Sequence, residues 1–187
     1  MKGRALITLF AIALVLLVIR LRSGLSAREE PTRVEAFVAR TMRHFAVPSN
    51  LRDAKNPVPL TGALLTESRA HFADHCAVCH GNDGKGGAMG KQMYPQTPDL
   101  TLAATQSLSD GELCAIIENG VRLTGMPGFG NDTPESRRES WALVHFIRHL
   151  PKLTLEEIAE IESLTPRSPA EWKELEAEKA FLAGETH

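Results

Sequence analysis

The segment Cys76-Ala77-Val78-Cys79-His80 forms a C-x-x-C-H string, and it restricts the fold and chemistry of the chain more than any other stretch. In a helical turn, positions i, i+3 and i+4 share one face, so both sulfurs and the imidazole can meet the same group. The string is typical of covalent haem attachment, in which the two sulfurs bond the porphyrin and the histidine binds iron. We therefore predict one covalently bound haem c, held by Cys76, Cys79 and His80.

Two other kinds of site use cysteines at this spacing. A thioredoxin-like dithiol needs a β-α-β context, and the sequence around Cys76 predicts no strand. A zinc site needs a second pair of ligands, and the third cysteine, Cys114, stands alone. Both interpretations are weaker than haem attachment. Because haem would occupy the other two cysteines, we expect Cys114 to be a buried or half-buried, inert thiol rather than a redox group.

Iron bound by His80 needs a second axial ligand or an open site, and the favoured ligand is Met126. This methionine lies in a loop rich in Gly and Pro, residues 123–129, between two predicted helices. Pro127 disfavours helical angles at Met126, and the flanking glycines let the backbone approach a porphyrin edge. The alternative is a Met126 that only packs as an apolar side chain.

Several other residues could contribute to the site. Met89 and Met93 are close enough along the chain to compete as ligands, and His145 is a reserve ligand. Trp141 is expected to pack in the core, with its N–H available to a haem propionate. Arg122 either meets a propionate or faces solvent.

The glycine-rich residues 81–87 follow a helix rather than a strand, which disfavours a nucleotide site. We expect this stretch to fold backbone around His80, where a carbonyl can accept the other ring N–H.

The remaining pattern predicts helices and no strand of any length. Three of the predicted helices cover Pro31 to Phe45, about Thr66 to Cys76, and Ser109 to Asn119. A fourth begins at Thr133 and ends before Pro151. Two Glu-rich helices follow, with capping residues Thr154 and Ser168. Residues 47–60 contain three prolines and are predicted to be a linker.

An uncharged run of fifteen residues, Ala5–Ile19, lies between Lys2 and Arg4 on one side and Arg20 and Arg22 on the other. Roughly 20 residues span a bilayer core, whereas the apolar part of a signal peptide has about 7–15. No A-x-A cleavage site follows, so we favour an uncleaved membrane anchor over a cleaved signal or an ordinary buried helix.

Charge excludes one class of partner. With 21 Lys and Arg against 23 Asp and Glu, the net charge is -2, and nucleic acid is not an expected partner. Residues 1–55 hold ten Lys and Arg against four Asp and Glu, while residues 154–187 hold three against nine. The basic face of residues 31–45 can lie on anionic lipid, although a solvated face is favoured. Likewise, the acidic tail can dock on a partner, although a solvated cap is favoured.

Four features together resemble a bacterial class I cytochrome c domain over residues 61–150. They are the C-x-x-C-H string, the Tyr94–Leu100 loop, the loop around Met126 and the last helix with Trp141. The resemblance implies an all-α fold in which the first and last helices cross near the haem. It also implies that Cys76, Cys79, His80 and Met126 take the family's attachment and axial positions.

The resemblance further implies a one-electron carrier rather than an enzyme, with its haem domain facing the periplasm from the bacterial cytoplasmic membrane. The predicted partners are redox proteins and the membrane. The alternatives are a cytochrome subunit docked on a respiratory oxidase or dehydrogenase, and a haem-based gas sensor or enzyme with a displaceable sixth ligand. The predicted parts are a signal anchor at 1–23, an amphipathic helix and linker at 24–60, the haem domain at 61–150 and an acidic helical extension at 151–187.

Overall fold

The computed structural model describes residues 2–23, Ala27, 29–167 and 169–184. Over these residues the regular elements are helical and no strand is present, which confirms the all-α prediction for them. The α-helices in the described residues are α1 (Lys2–Ser23), α2 (Arg33–Ala46), α3 (Ser49–Arg52), α4 (Gly62–His75), α5 (Ala77–His80), α6 (Ala103–Gln106), α7 (Asp110–Asn119), α8 (Pro134–His149), α9 (Leu155–Leu164) and α10 (Pro169–Leu182). Two single 3-10 turns cover Gly90–Gln92 and Leu150–Lys152.

Side-chain caps fix the beginnings of five helices. Thr32, Ser109 and Thr154 each form a full capping box with the Glu three residues later. Thr61 and Thr133 accept a backbone N–H from the first turns of α4 and α8. Because such a cap contributes about 1 kcal/mol, these residues determine where the helices begin. The helix starts predicted at Ser109, Thr133 and Thr154 are confirmed.

Two predicted boundaries differ from the structure. Helix α4 begins at Gly62, earlier than the predicted start near Thr66, because Thr61 supplies the cap. Helix α3 lies inside the predicted linker, since a helix of four residues is too short to show periodicity. The cap predicted at Ser168 lies outside the described residues.

The core forms where α4 packs against α8. Phe72 and Phe146 are almost fully buried, and their ring centroids lie 5.1 Å apart at a tilt of 50°. Leu113 and Ile117 of α7 pack into the same cluster. The first and last helices of residues 61–150 are therefore in contact, and their crossing near a haem stays a prediction.

Helix α9 packs against α4 and contributes to this core. Ile161 is 0% exposed and belongs to the central cluster. Arg69 of α4 forms ion pairs with Glu157 at 2.8 Å and Glu160 at 2.9 Å. The first half of the acidic extension is thus held by both apolar and charged contacts.

Residues 47–60 wrap around the haem domain. The Asn56 side chain donates a hydrogen bond to the Trp141 carbonyl at 2.8 Å. His145 Nε2 bonds the Val58 carbonyl at 2.7 Å, and Val58 packs against the core. These contacts hold the segment against α8.

Helix α1 exposes its apolar side chains, including Leu6 and Phe10 at 72% each. No helix within the described ranges is both long and apolar enough to cross a membrane. The membrane anchor at 1–23 stays a prediction.

Candidate functional site

One helical turn brings Cys76, Cys79 and His80 together. Helix α4 ends just before Cys76, whose N–H donates to the Phe72 carbonyl at 2.8 Å. The Cys76 carbonyl then accepts the N–H groups of Cys79 at 3.1 Å and His80 at 2.8 Å. All three residues are half-buried. The two sulfurs and the imidazole therefore occupy the i, i+3 and i+4 positions that the spacing predicts.

The glycine-rich loop folds back over this turn. Gly81 adopts φ +76°, a conformation that favours glycine, and turns the chain out of α5. Gly86 N–H then donates to the His80 carbonyl at 2.7 Å, and Gly87 N–H donates to the Cys79 carbonyl at 2.8 Å. The loop thus satisfies the free carbonyls at the end of the turn.

The surroundings of the His80 ring favour its neutral form. Burial lowers its pKa, and the Pro98 carbonyl opposes that shift. Nδ1 is buried and makes no hydrogen bond of ordinary geometry. The carbonyl that acts on the ring belongs to the Tyr94–Leu100 loop, an identity that the sequence alone leaves open.

Two hydrogen bonds hold the Tyr94–Leu100 loop against residues 84–90, which follow the turn. Thr97 N–H donates to the Gly90 carbonyl at 3.0 Å, and Leu100 N–H donates to the Gly84 carbonyl at 2.8 Å. These bonds fix the position of Pro98 between them.

Cys76 and Cys79 form no disulfide. Burial, followed by the neighbouring Cys79, raises the pKa of Cys76 to about 12. Two thiols and one neutral imidazole on one face are the donor set that covalent haem requires, so the residues present fit this group. In the described part of the chain, no three His, Cys, Asp or Glu side chains converge as ligands for a metal ion alone.

Hydrogen bonds and close backbone packing hold the Met126 loop against the end of α7. Phe129 N–H donates to the Ile117 carbonyl at 3.0 Å, and Val121 N–H donates to the Met126 carbonyl at 3.1 Å. Gly120 adopts φ +65°, and a β-carbon there would lie 2.6 Å from the Met126 carbonyl oxygen. Met126 itself is half-buried. Its backbone is therefore held in place on both sides.

Met93 lies beside the same loop. A β-carbon on Gly125 would lie 2.5 Å from the Met93 sulfur, so this thioether packs directly on the Gly125 backbone. Met89, by contrast, is 52% exposed. Of the two competing methionines, Met93 is the one placed next to the preferred ligand.

The other candidates have different surroundings. Trp141 is 8% exposed and packs in the core, while Arg122 is exposed. His145 is engaged by the Val58 carbonyl. Cys114 is buried, and burial raises its pKa to about 12, as suits an unreactive thiol.

Two contacts at the site come from sequence regions without a local signal. Thr165, just after α9, donates its hydroxyl to Asn82 Oδ1 at 2.9 Å, in the loop that follows His80. Tyr94 hydrogen-bonds the carboxylate of Glu35 in α2, and partial desolvation and this carboxylate raise the pKa of Tyr94. Neither pairing follows from periodicity or spacing.

Comparison with known families gives one match. Residues 63–147 match the model of the family described as cytochrome C oxidase, cbb3-type, subunit III. The matched range runs through α4 to near the end of α8 and includes Cys76, Cys79, His80 and Met126. A comparison of the chain with curated proteins found no match.

Proposed function

We propose that this chain, a c-type cytochrome of the class I kind with one covalently bound haem c, carries single electrons with His80 and Met126 as axial ligands. When bound, the haem supplies an iron centre that changes by one electron. The observation that carries the proposal is the turn in which the Cys76 carbonyl holds both Cys79 and His80. The family match over residues 63–147 supports the electron-transfer role in general.

The protein's part in this function is to hold two ligands in fixed places. Burial lowers the pKa of His80, which favours the neutral imidazole whose ring lone pair can bind iron. Hydrogen bonds from Gly86 and Gly87 hold the turn, and the end of α7 holds the Met126 loop. Ligands that stay in fixed places in both the ferric and the ferrous state suit an electron carrier better than an enzyme that binds its substrate at the iron.

The test of the electron-transfer proposal uses full-length protein made in cells with haem maturation machinery. The denatured chain should keep its colour in acidified organic solvent, and the folded protein should show one reversible one-electron wave. Cys114→Ser is the matched control and should retain the haem, whereas Cys76→Ala with Cys79→Ala should lose it. A colourless wild-type product contradicts the proposal.

The identity of the sixth ligand has its own test. Support for Met126 comes from its half-buried side chain, its fastened backbone and Pro127. The oxidised protein should show a sulfur-to-iron charge-transfer band in the far red that disappears in Met126→Ala. Met93→Ala and Met89→Ala should keep it. Loss of the band in Met93→Ala would assign the ligand to Met93 instead.

A haem-based sensor or enzyme with a displaceable ligand predicts different behaviour. Reduced wild-type protein would then bind carbon monoxide rapidly without treatment. The carrier proposal predicts slow or no binding by wild type and rapid binding by Met126→Ala.

We also propose that α1 holds the protein at the bacterial cytoplasmic membrane, with the haem domain on the outer side. The exposed apolar side chains of α1 and the basic residues that flank Ala5–Ile19 support this proposal. The protein should remain in the membrane pellet after an alkaline carbonate wash. The mass of the mature chain should include residues 1–23.

The second candidate is a cytochrome subunit of a respiratory complex. The description of the matched family favours an oxidase of the cbb3 type. Mild detergent solubilisation followed by size-exclusion chromatography distinguishes a free carrier from a subunit of such a complex. A free carrier elutes alone, and a subunit elutes with other polypeptides and additional haem.

A further inference from the structure

We propose that α2 lies flat in the interface of the membrane, with its large apolar side chains among the lipid chains and its arginines at anionic head groups. This inference rests on the proposed membrane association of the chain. It adds a second contact, which orients the haem domain relative to the bilayer.

The apolar side chains of α2 are exposed, which is unusual for a helix that packs only against its own domain. A surface helix usually turns its apolar stripe towards the core. In α2 the large apolar side chains are exposed instead: Val34 71%, Phe37 67%, Val38 46%, Met42 67% and Phe45 77%. No residue within α2 is buried.

Small and basic residues occupy the opposite side of α2. Ala36 and Arg43 are half-buried and lie seven positions apart, so they share one face. Phe37 and Phe45 are eight positions apart and lie with Val34 on the other face. The large apolar side chains of α2 are therefore accessible to a separate occupant.

Two contacts hold α2 in this orientation. Near its beginning, the Glu35 carboxylate lies close enough to Tyr94, in the loop that contains Pro98, to raise the pKa of that phenol. Near its end, His44 Nδ1 lies 3.2 Å from the Glu112 carboxylate of α7. The exposed face therefore has a defined direction relative to the haem site.

Lipid is the occupant that the surroundings favour. The apolar helix α1 precedes α2 in the chain and also exposes its apolar side chains. Arg33 and Arg40 lie on one edge of the apolar face and are exposed, where they can meet lipid phosphates. Fourteen residues of helix measure only about 21 Å, against roughly 30 Å of bilayer core, so α2 fits along the surface and not across it.

The test measures how deeply each face of α2 lies in lipid. Full-length holoprotein is placed in nanodiscs of phosphatidylethanolamine and anionic phosphatidylglycerol, one copy per disc. In a Cys114→Ser background, spin labels are attached at Phe37→Cys and Phe45→Cys, with Ala39→Cys on another face as the matched control. Collision rates with oxygen, which dissolves in lipid, and with a water-soluble nickel complex report the surroundings of each label.

The inference predicts high oxygen and low nickel collision rates at positions 37 and 45, and the reverse at position 39. High nickel access at 37 and 45 overturns it, even if the protein stays in the disc through α1, so the membrane proposal survives that outcome. Low rates for both reagents overturn it in favour of a protein partner. Failure of the protein to enter discs overturns both the membrane proposal and this inference, while the electron-transfer proposal stands.

The arginines are tested with a second lipid. In nanodiscs of zwitterionic phosphatidylcholine, nickel access at position 37 should rise because the head groups carry no net negative charge. Arg33→Gln with Arg40→Gln should produce the same rise in the anionic discs. Equal access in every combination overturns the role assigned to the arginines. The visible spectrum of each variant checks that the haem domain is intact.

Discussion

The hydroxyl of Thr165 donates a hydrogen bond to Asn82 Oδ1 at 2.9 Å, which joins the end of α9 to the loop directly after His80. Nearby, a β-carbon on Gly84 would lie 2.9 Å from Leu150 Cδ1, so the same loop also packs against the residue that follows α8. The C-terminal part of the chain thus supports the side of the site that carries the imidazole.

Replacing Thr165 with Val should weaken this support. The change keeps the shape but removes the hydroxyl proton that Asn82 Oδ1 and the Ile161 carbonyl share, which costs about 1 kcal/mol of the free energy of unfolding. Denaturant unfolding of the holoprotein measures the loss. Ser163→Ala, which removes an exposed hydroxyl from the same helix, is the control and should change stability less. Equal effects of the two variants would contradict the role of Thr165.

Replacing Ile161 with Ala should destabilise the haem domain strongly. Ile161 is 0% exposed in the central cluster, and removing such a side chain costs about 2–5 kcal/mol because a cavity remains. Ile158→Ala on the half-buried side of α9 should cost less. The measurement is thermal or denaturant unfolding followed by the haem absorbance. A small effect of Ile161→Ala would mean that α9 is not part of the cooperative core.

Glu157 should make the fold more sensitive to acid. Burial alone would raise the pKa of Glu157, but the Thr154 N–H, His149 and Arg69 outweigh it and hold the pKa below its ordinary value of 4.5. A carboxylate with a lowered pKa stabilises the folded state above its unfolded value, and this stabilisation is lost as the pH falls through the folded pKa. Stability should therefore decline as the pH falls below about 4.5.

Glu157→Gln tests this assignment. The variant should lose about 1.5–3 kcal/mol near neutral pH, because it removes charge-assisted hydrogen bonds with Arg69 and His149. Its stability should also fall less steeply in acid than that of the wild type. Glu162→Gln, on the exposed side of α9, is the control. Parallel pH curves for wild type and Glu157→Gln would refute the linkage.

Two glycines of the Met126 loop should tolerate Ala very differently. On Gly125 the new β-carbon meets the Met93 sulfur, the far end of a flexible side chain that can move, so we expect a cost below about 1 kcal/mol. On Gly128 it meets the Glu118 backbone carbonyl at 2.8 Å, and we expect a cost of about 1–3 kcal/mol. Unfolding of both holoproteins measures the difference. Equal costs would show that the loop is not packed on the end of α7.

The parts of the site that depend on neighbouring residues could be predicted from the sequence. The caps at Ser109, Thr133 and Thr154 and the turn from Cys76 to His80 depend on hydrogen bonds across three or four positions. Such bonds follow from residue type and spacing, so the sequence alone predicts them.

The parts of the site that depend on residues far apart in the chain could not be predicted from the sequence. The Pro98 carbonyl, the contact of Glu35 with Tyr94 and the burial of Ile161 each require the packing of separate segments. The amphipathic pattern of residues 31–45 likewise predicted a helix, but pattern alone does not say whether the apolar side faces inward or outward. Only the packed arrangement of α2 decides this.

The hydrogen bonds that shape the attachment turn join residues between Phe72 and Gly87, whereas Pro98, the Met126 loop and α9 come later in the chain. A polypeptide still being synthesised can therefore form this turn and present both thiols before its later segments are made.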